Sequence, residues 1–249
     1  MNILVCVKRV PITGGRIVLS ADECSIETRH LGFTVSPHEE CGVEEAVRIV
    51  EAHGGEVVVL TLGPPEAEEQ LRDAMAIGAD RGILLETDGS EWDPQATAAA
   101  IVHAIRDEAF DLVIFGNEAA DAGNYQVGIR VAHALGLPIA TGLKALAVQD
   151  GSVRCEQEVV GGRDVFVLPL PAAVTVKEGI NLPRYPSVPG RLRARQKPLA
   201  RVNPQKHPPK LELVRLKVPE GRGKQAEILG HGPDAAPAVV DVLQRIGVL

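Results

Sequence analysis

Short runs of aliphatic residues recur along the first half of the chain, each followed by a longer segment with one apolar face. This alternation leaves few architectures open. The runs are Ile3–Val7, Glu56–Leu62, Arg81–Glu86 and Leu112–Phe115. Their β-branched content and the breakers behind them favour strands over buried helical turns. Between them, Ser36-Pro37-His38-Glu39 reads as a helix start, with Ser36 as cap, Pro37 in the first turn and Glu39 completing a capping box. That helix is predicted to run to about His53, with Val43, Ala46, Val47 and Val50 on one side and Gly54-Gly55 as its stop. Gly63-Pro64-Pro65 opens a second helix, Glu66 to about Ile77, and Asp93-Pro94 a third that ends near Glu108. Continuously apolar strands joined by amphipathic helices predict an α/β fold with a mostly parallel sheet covered on both faces. Residues 12–35 read as a hairpin-like excursion from it.

The stretch Asp111 to Arg130 carries the most specific signal. The strand ending at Phe115 meets Gly116, a loop of small residues follows, and Asn124 stands as cap before an amphipathic helix predicted over Tyr125–Leu135. A helix that starts at a strand's carboxyl end presents unpaired N–H groups and a positive dipole end, which suits a phosphate. Capping alone accounts for Asn124. It does not account for Gly116, Ala119, Ala120, Ala122 and Gly123, which leave the backbone open to a ligand. Asp121 is too acidic to face phosphate and suits loop orientation or a ribose hydroxyl. There is no Walker motif and no first-turn Gly-x-Gly-x-x-Gly. His38, His53, His103 and His133 all fall in predicted helices without partners for catalysis, and no nucleophile sits on an elbow.

Beyond Leu135 the pattern changes. Ala140–Val148, Ser152–Val160, Asp164–Leu168 and Ala172–Val176 read as strands, with Gln149-Asp150-Gly151 and Gly161-Gly162 as hairpin turns. They are expected to extend the sheet edge or build a second small sheet. From Asn181 to Lys210 seven prolines predict an extended arm, with one more strand possible at Leu211–Lys217. A breaker at Glu220-Gly-Arg-Gly223 precedes a closing helix, roughly Ala235–Ile246. Charge divides in the same place. Residues 1–190 hold 14 basic and 28 acidic groups, whereas residues 191–249 hold 12 and 5. The basic segment lacks interleaved aromatics, which argues against nucleic acid and for an arm lying on an acidic surface, its own or a partner's. Two units are therefore expected, 1–190 as an α/β domain with its hairpins and 191–249 as arm and terminal helix.

Four scattered cysteines (Cys6, Cys24, Cys41, Cys155) with no C-x-x-C read as free thiols in a reducing compartment, with no metal site. No presequence is apparent and no apolar stretch is long enough to cross a bilayer, so a cytoplasmic protein is expected.

Several short motifs, in order and spacing, resemble the beta (small) subunit of electron transfer flavoprotein. They are Val7-Lys-Arg-Val10, Val43-Glu-Glu-Ala-Val-Arg48, Leu71-Arg-x-Ala-x-x-Ile-Gly-Ala-Asp-Arg81, the Gly116–Gly128 loop, Glu156-x-Glu158-x-x-Gly161-Gly162, Leu170-Pro-Ala-x-Val-Thr175 and Asn181-x-Pro-Arg-Tyr185. The resemblance covers nearly the whole chain. It implies a Rossmann-like adenine-nucleotide-binding domain that binds AMP structurally. It also implies a heterodimer with an alpha subunit that holds most of the redox FAD. Donors would be acyl-CoA dehydrogenase-type flavoenzymes of fatty acid beta-oxidation, and electrons would leave through a membrane quinone oxidoreductase.

Carried over residue by residue, the resemblance puts Cys6 beside the adenine, with Ser36 to Cys41 and Leu62-Gly63 around it. Asp121, Gly123, Asn124, Tyr125, Gln126, Val127 and Gly128 would form the phosphate cradle. All lie at strand ends or helix starts, where an open sheet binds ligands. Glu158 matches a glutamate that steers the mobile flavin domain. Tyr185, Val188 and Arg191 fall in the docking loop, with Val188 where familiar members insert a leucine. A valine presents one methylene less, worth roughly 0.8 kcal/mol if fully buried.

The chain departs from AMP-binding members at Ala122-Gly-Asn-Tyr125, and its Gln126-Val-Gly128 ending resembles electron-bifurcating members that place a second FAD here. A universal-stress-type regulatory protein is the alternative from another class. An adenylating or pyrophosphatase enzyme is a third, disfavoured by the missing P-loop and metal carboxylates. The primary reading is electron relay, in which the protein supplies binding, redox tuning and a docking surface.

Overall fold

A computed structural model describes residues 1–12, 14, 17–219 and 226–249. Nine strands form one sheet. In chain order its parallel members are β1 (Asn2–Cys6), β4 (Glu56–Gly63), β5 (Arg81–Glu86), β6 (Leu112–Gly116), β10 (Ala172–Val176) and β11 (Leu199–Val202), together with β7 (Ile139–Gln149). Antiparallel β8 (Ser152–Val159) and β9 (Gly162–Pro169) extend it beyond β7. The spatial order is β11-β5-β4-β1-β6-β10-β7-β8-β9. From β1 the chain winds outward through β4 and β5, then returns to β6 on the other side of β1. The order therefore reverses between β1 and β6, and a crevice opens at the carboxyl ends there.

Helices α1 (Pro37–His53) and α2 (Glu68–Ile77) cover one face, and α3 (Pro94–Ile105) and α4 (Val127–Leu135) the other. Strand residues alternate between the two cores: Ile3, Val5, Val57, Val59, Leu112 and Ile114 meet α1 and α2, while Leu4, Val58, Leu60, Val113 and Phe115 meet α3 and α4. The 12–35 excursion is pinned by a two-stranded antiparallel pair, β2 (Arg9–Pro11) with β3 (Phe33–Val35), and by a bridge between Leu19 and Ile26.

Several expectations are corrected. The third helix stops at Ile105, before Glu108. Ala172–Val176 does not continue the hairpins but runs between β6 and β7, parallel to both. All five of its residues are buried, a requirement of a central strand that an edge hairpin does not impose. The arm is more regular than its prolines imply. It contains α5 (Val188–Ala194) and the edge strand β11, and its first part is fastened to the domain's acids. Arg191 pairs with Asp73, Arg201 pairs with Glu68 and Glu86, and Lys197 Nζ donates to the carbonyls of Met75 and Ala79 at the end of α2. Leu211–Lys217 is not a strand. It crosses the surface singly, held by Asp93, which accepts the Lys210 and Leu211 N–H groups, and by Glu23, whose carbonyl accepts from Leu216. The breaker at Glu220–Gly223 lies outside the described residues.

The closing helix is α6 (Ala236–Arg245), and none of its residues is buried. At the far margin, β9 shows Val165, Phe166 and Val167 to solvent. Among the described residues, no helix is long and apolar enough to cross a membrane.

Candidate functional site

The crevice beside β6 is built from three loops that leave the sheet at its carboxyl end. Lys8 follows β1, Pro37 and His38 begin α1, and residues 118–123 follow β6. Pro37, His38, residues 118–123 and Glu178 behind β10 line a cleft of about 320 Å³, and Lys8 reaches the loop through Asp121. Burial of the strands fixes these loops. β1 and β6 pair in register from Ile3–Leu112 to Cys6–Phe115, so their ends emerge together.

The helix after the loop starts later than expected. Asn124 is not its cap. Gln126 takes that position, and Tyr125 sits just before it with φ of 56°. A side chain in the left-handed region costs about 1–2 kcal/mol, so the turn is held by its surroundings. What holds it is packing of α4 against β6. At Gly128 an added Cβ would lie 3.0 Å from the Phe115 ring, so any larger residue would press that ring aside by a few tenths of an ångström. The first-turn amides of Val127, Gly128 and Ile129 have no partner inside the helix. Gln126 Oε1 accepts from Arg130 at 2.9 and 3.1 Å, which keeps the amide side chain off that opening.

The loop itself is braced by charge. Lys8 Nζ lies 2.7 Å from Asp121 Oδ2, while Asp121 Oδ1 accepts the Ala122 N–H at 2.7 Å. His38 Nδ1 accepts the Glu178 N–H at 2.7 Å, which fixes the neutral tautomer with its proton on Nε2, 3.5 Å from Glu118 Oε1. Beneath them lies Glu39, only 6% exposed. Burial, opposed in part by the Lys8 N–H that Oε2 accepts at 2.8 Å, pushes its carboxyl up to about 8. The capping box is thereby corrected. Glu39 turns inward to Lys8, and Ser36 Oγ donates to the Glu118 carbonyl at 3.3 Å with no side-chain cap bond to α1.

The other expected site residues divide between this crevice and its surroundings. Cys6 is buried at the tip of β1, where burial raises its thiol well above the ordinary value. Leu62 and Gly63 end β4 on the neighbouring side, and the Gly63 carbonyl accepts from Thr87. Cys41 faces away, its thiol toward the Asn181 carbonyl. Glu158 is exposed on β8, within 4.0 Å of Arg163. Tyr185, Val188 and Arg191 lie on a separate exposed segment along α1 and α2. Chemically, the crevice itself presents Glu118 and Glu178, suited to hydroxyl or amine donors, with the Lys8 ammonium paired to Asp121 at its edge.

Residues 24–207 match the model of the electron transfer flavoprotein domain. The chain belongs to the electron transfer flavoprotein beta-subunit family. It is 32% identical to the electron transfer flavoprotein subunit beta of Bacillus subtilis over 98% of both chains. It is 33% identical to that of Bradyrhizobium diazoefficiens over the full length of both. The mitochondrial subunit beta of Arabidopsis thaliana is 37% identical over 82% of each chain. This membership sets aside the universal-stress-type reading.

Several residues of this family member were not singled out from sequence. Lys8 reads only as a member of the Val7-Lys-Arg-Val10 motif, and Glu39 as a capping residue. Asn117 and Thr175 fall inside quoted motifs but carry no role readable from sequence. Thr175 Oγ1 accepts the Gly142 N–H and donates to Asn117 Oδ1, both at 2.9 Å, tying β10, β7 and the β6 loop together. The available signal for Lys8 was its position, a cation directly after the first buried strand.

Proposed function

We propose that this chain is the beta subunit of an electron-relaying flavoprotein heterodimer, with a structural AMP in the crevice at the tip of β6. Its domain would then be Rossmann-like in use as well as in its strand reversal. The observation that supports the nucleotide is the cleft of small residues Ala119–Gly123 after β6, with α4 starting just beyond it at Val127 and Lys8 held at its edge by Asp121. Phosphate would meet the amides of Val127 and Gly128 and the Lys8 ammonium, and Asp121 would keep that ammonium in place. Glu118 and Glu178 would accept from ribose or adenine donors. A cleft of about 320 Å³ lies at the small end of the roughly 300–1,000 Å³ range of ligand sites. That favours a mononucleotide over a second FAD, while the Gln126-Val-Gly128 ending is what favours the bifurcating alternative.

FAD, held mostly by an alpha subunit, supplies the redox chemistry. This chain contributes one wall of the flavin cleft, with Glu158 exposed to steer the flavin domain. The exposed Tyr185–Leu192 segment meets acyl-CoA dehydrogenase-type donors, and a membrane quinone oxidoreductase is the acceptor. The test is co-purification with the partner subunit, acid release and chromatography of the nucleotides. One FAD and one AMP per heterodimer is expected. Two FADs would favour bifurcation, and a folded heterodimer without adenine nucleotide would overturn the site.

A further inference from the structure

Residues 181–192 invert the usual surface pattern. Leu182, Tyr185, Val188 and Leu192 are exposed, with Tyr185 at 96% and Val188 at 74%, while Asn181 and Arg184 turn toward α1. Arg184 is the clearest case. Its Nε donates to Glu44 Oε2 at 2.9 Å, and its two terminal nitrogens donate to Glu51 Oε1 and Oε2 at 2.6 and 2.9 Å. Its backbone N–H also donates to Glu44 Oε2, at 3.1 Å. Glu44 and Glu51 lie seven positions apart on α1, so one guanidinium spans two turns of that helix. Glu44 is 1% exposed, and Arg48 closes its other oxygen at 2.5 Å. The same Arg48 donates to the Leu182 carbonyl at 3.1 Å, and Asn181 Nδ2 donates to Glu45 and to the Cys41 carbonyl.

The far end of the segment is fixed to α2. Ser187 caps α5 through the Gly190 N–H at 3.1 Å, and Arg191 pairs with Asp73. An added Cβ at Gly190 would lie 2.5 Å from the Ala76 carbonyl oxygen, so the α5 backbone rests directly on α2. Between these anchors the apolar side chains stand in solvent.

We propose that Arg184, through Glu44 and Glu51, is a positioning residue that holds this apolar row ready for an electron-donor protein. The inference rests on the electron-carrier reading above and adds the device that prepares the surface. Taking the Glu44 carboxylate out of water to hold Arg184 is an expensive way to anchor a loop, and a solubilising linker needs no such pair. Fixing apolar anchors before encounter lowers the ordering that association otherwise requires. Arg191, Arg193 and Arg195 rim the row with positive charge, so the matching surface is an apolar pocket bordered by carboxylates.

The test uses the assembled heterodimer with Arg184→Gln, Arg184→Lys, Glu51→Gln and Val188→Ala. Glu51→Gln loosens the outer half of the clamp without stranding a buried charge. Two rates are read, reduction by dithionite and reduction by an acyl-CoA dehydrogenase at varied heterodimer concentration. Expected is a KM for the heterodimer raised about tenfold by Arg184→Gln, the scale of one or two newly mobile side chains at an interface. Glu51→Gln should raise it less, with kcat and dithionite reduction unchanged in both. Arg184→Lys should fall between, since an ammonium cannot bridge two carboxylates as a guanidinium does. If Val188→Ala raises KM but Arg184→Gln and Glu51→Gln lower only thermal stability, the positioning role is wrong and the docking surface stands. If none of the four moves KM, the docking reading itself falls.

Discussion

Removing the charge from Glu39 tests the electrostatics under the crevice. Glu39 is buried against the β1 tip, and burial lifts its carboxyl from 4.5 to about 8 despite the nearby Lys8. Below about pH 4.5 folded and unfolded chains both hold the proton, and the site carries no penalty. Between about 4.5 and 8 the unfolded chain releases the proton while the folded chain keeps it, so stability falls as pH rises. Above about 8 the whole penalty is in place. At ~1.36 kcal/mol per pH unit the displacement corresponds to roughly 4–5 kcal/mol. Glu39→Gln retains an amide oxygen for the Lys8 N–H and removes only the ionisation. In urea denaturation from pH 5 to 9, the variant should match the parent near pH 5 and exceed it by roughly 2–5 kcal/mol at pH 9. Parallel curves for the two proteins would refute the assignment, because the difference between them isolates this one carboxyl.

Three further outcomes follow from contacts already described. Gly128→Ala should destabilise by about 1–3 kcal/mol in the same denaturation assay, since a methyl 3.0 Å from the Phe115 ring outweighs the better helix propensity of alanine. Thr175→Val removes the acceptor of the buried Gly142 N–H and the donor to Asn117. It should lower stability by about 1–3 kcal/mol and loosen the loop after β6, read as faster amide exchange at residues 117–123. Asp93→Ala removes the α3 cap and two arm contacts together. It should cost about 1 kcal/mol and open residues 203–219 to proteolysis, measured as an earlier cut at that segment.

Most of the sheet was legible because burial on both faces leaves a direct mark. Ile3–Val7, Gly82–Leu85 and Leu112–Phe115 carry no charged or hydrogen-bonding polar side chain, and Gly78 and Asp93-Pro94 punctuate the helices. Ala172–Val176 was legible as a strand but not in its place, since sequence neighbours on hairpins suggest a hairpin. Its insertion between β6 and β7 depends on which edges remain open in space. β11 escaped notice because four residues among prolines carry little pattern, and pairing with β5 creates the strand. The start of α4 was misjudged at Asn124 because local capping preference competed with tertiary packing at Gly128, and packing won. Cys6, Ser36 and Asp121 were picked out by the family resemblance, and the alternation explains only why they stand at strand ends and helix starts. The roles of Lys8, Glu39 and Arg184 were not legible, because a charge turned inward looks the same in sequence as one in water.

The two margins of the sheet are unequal. One ends in β11, short and covered by arginine–carboxylate pairs. The other ends in β9, whose outer N–H and C=O groups form no ladder and whose Val165, Phe166 and Val167 lie in water. An open strand of that composition is a template for any extended chain of similar character. When this polypeptide is produced faster than something shields that border, self-association should begin there, and Arg163 and Asp164 are the only charges on that strand to slow it.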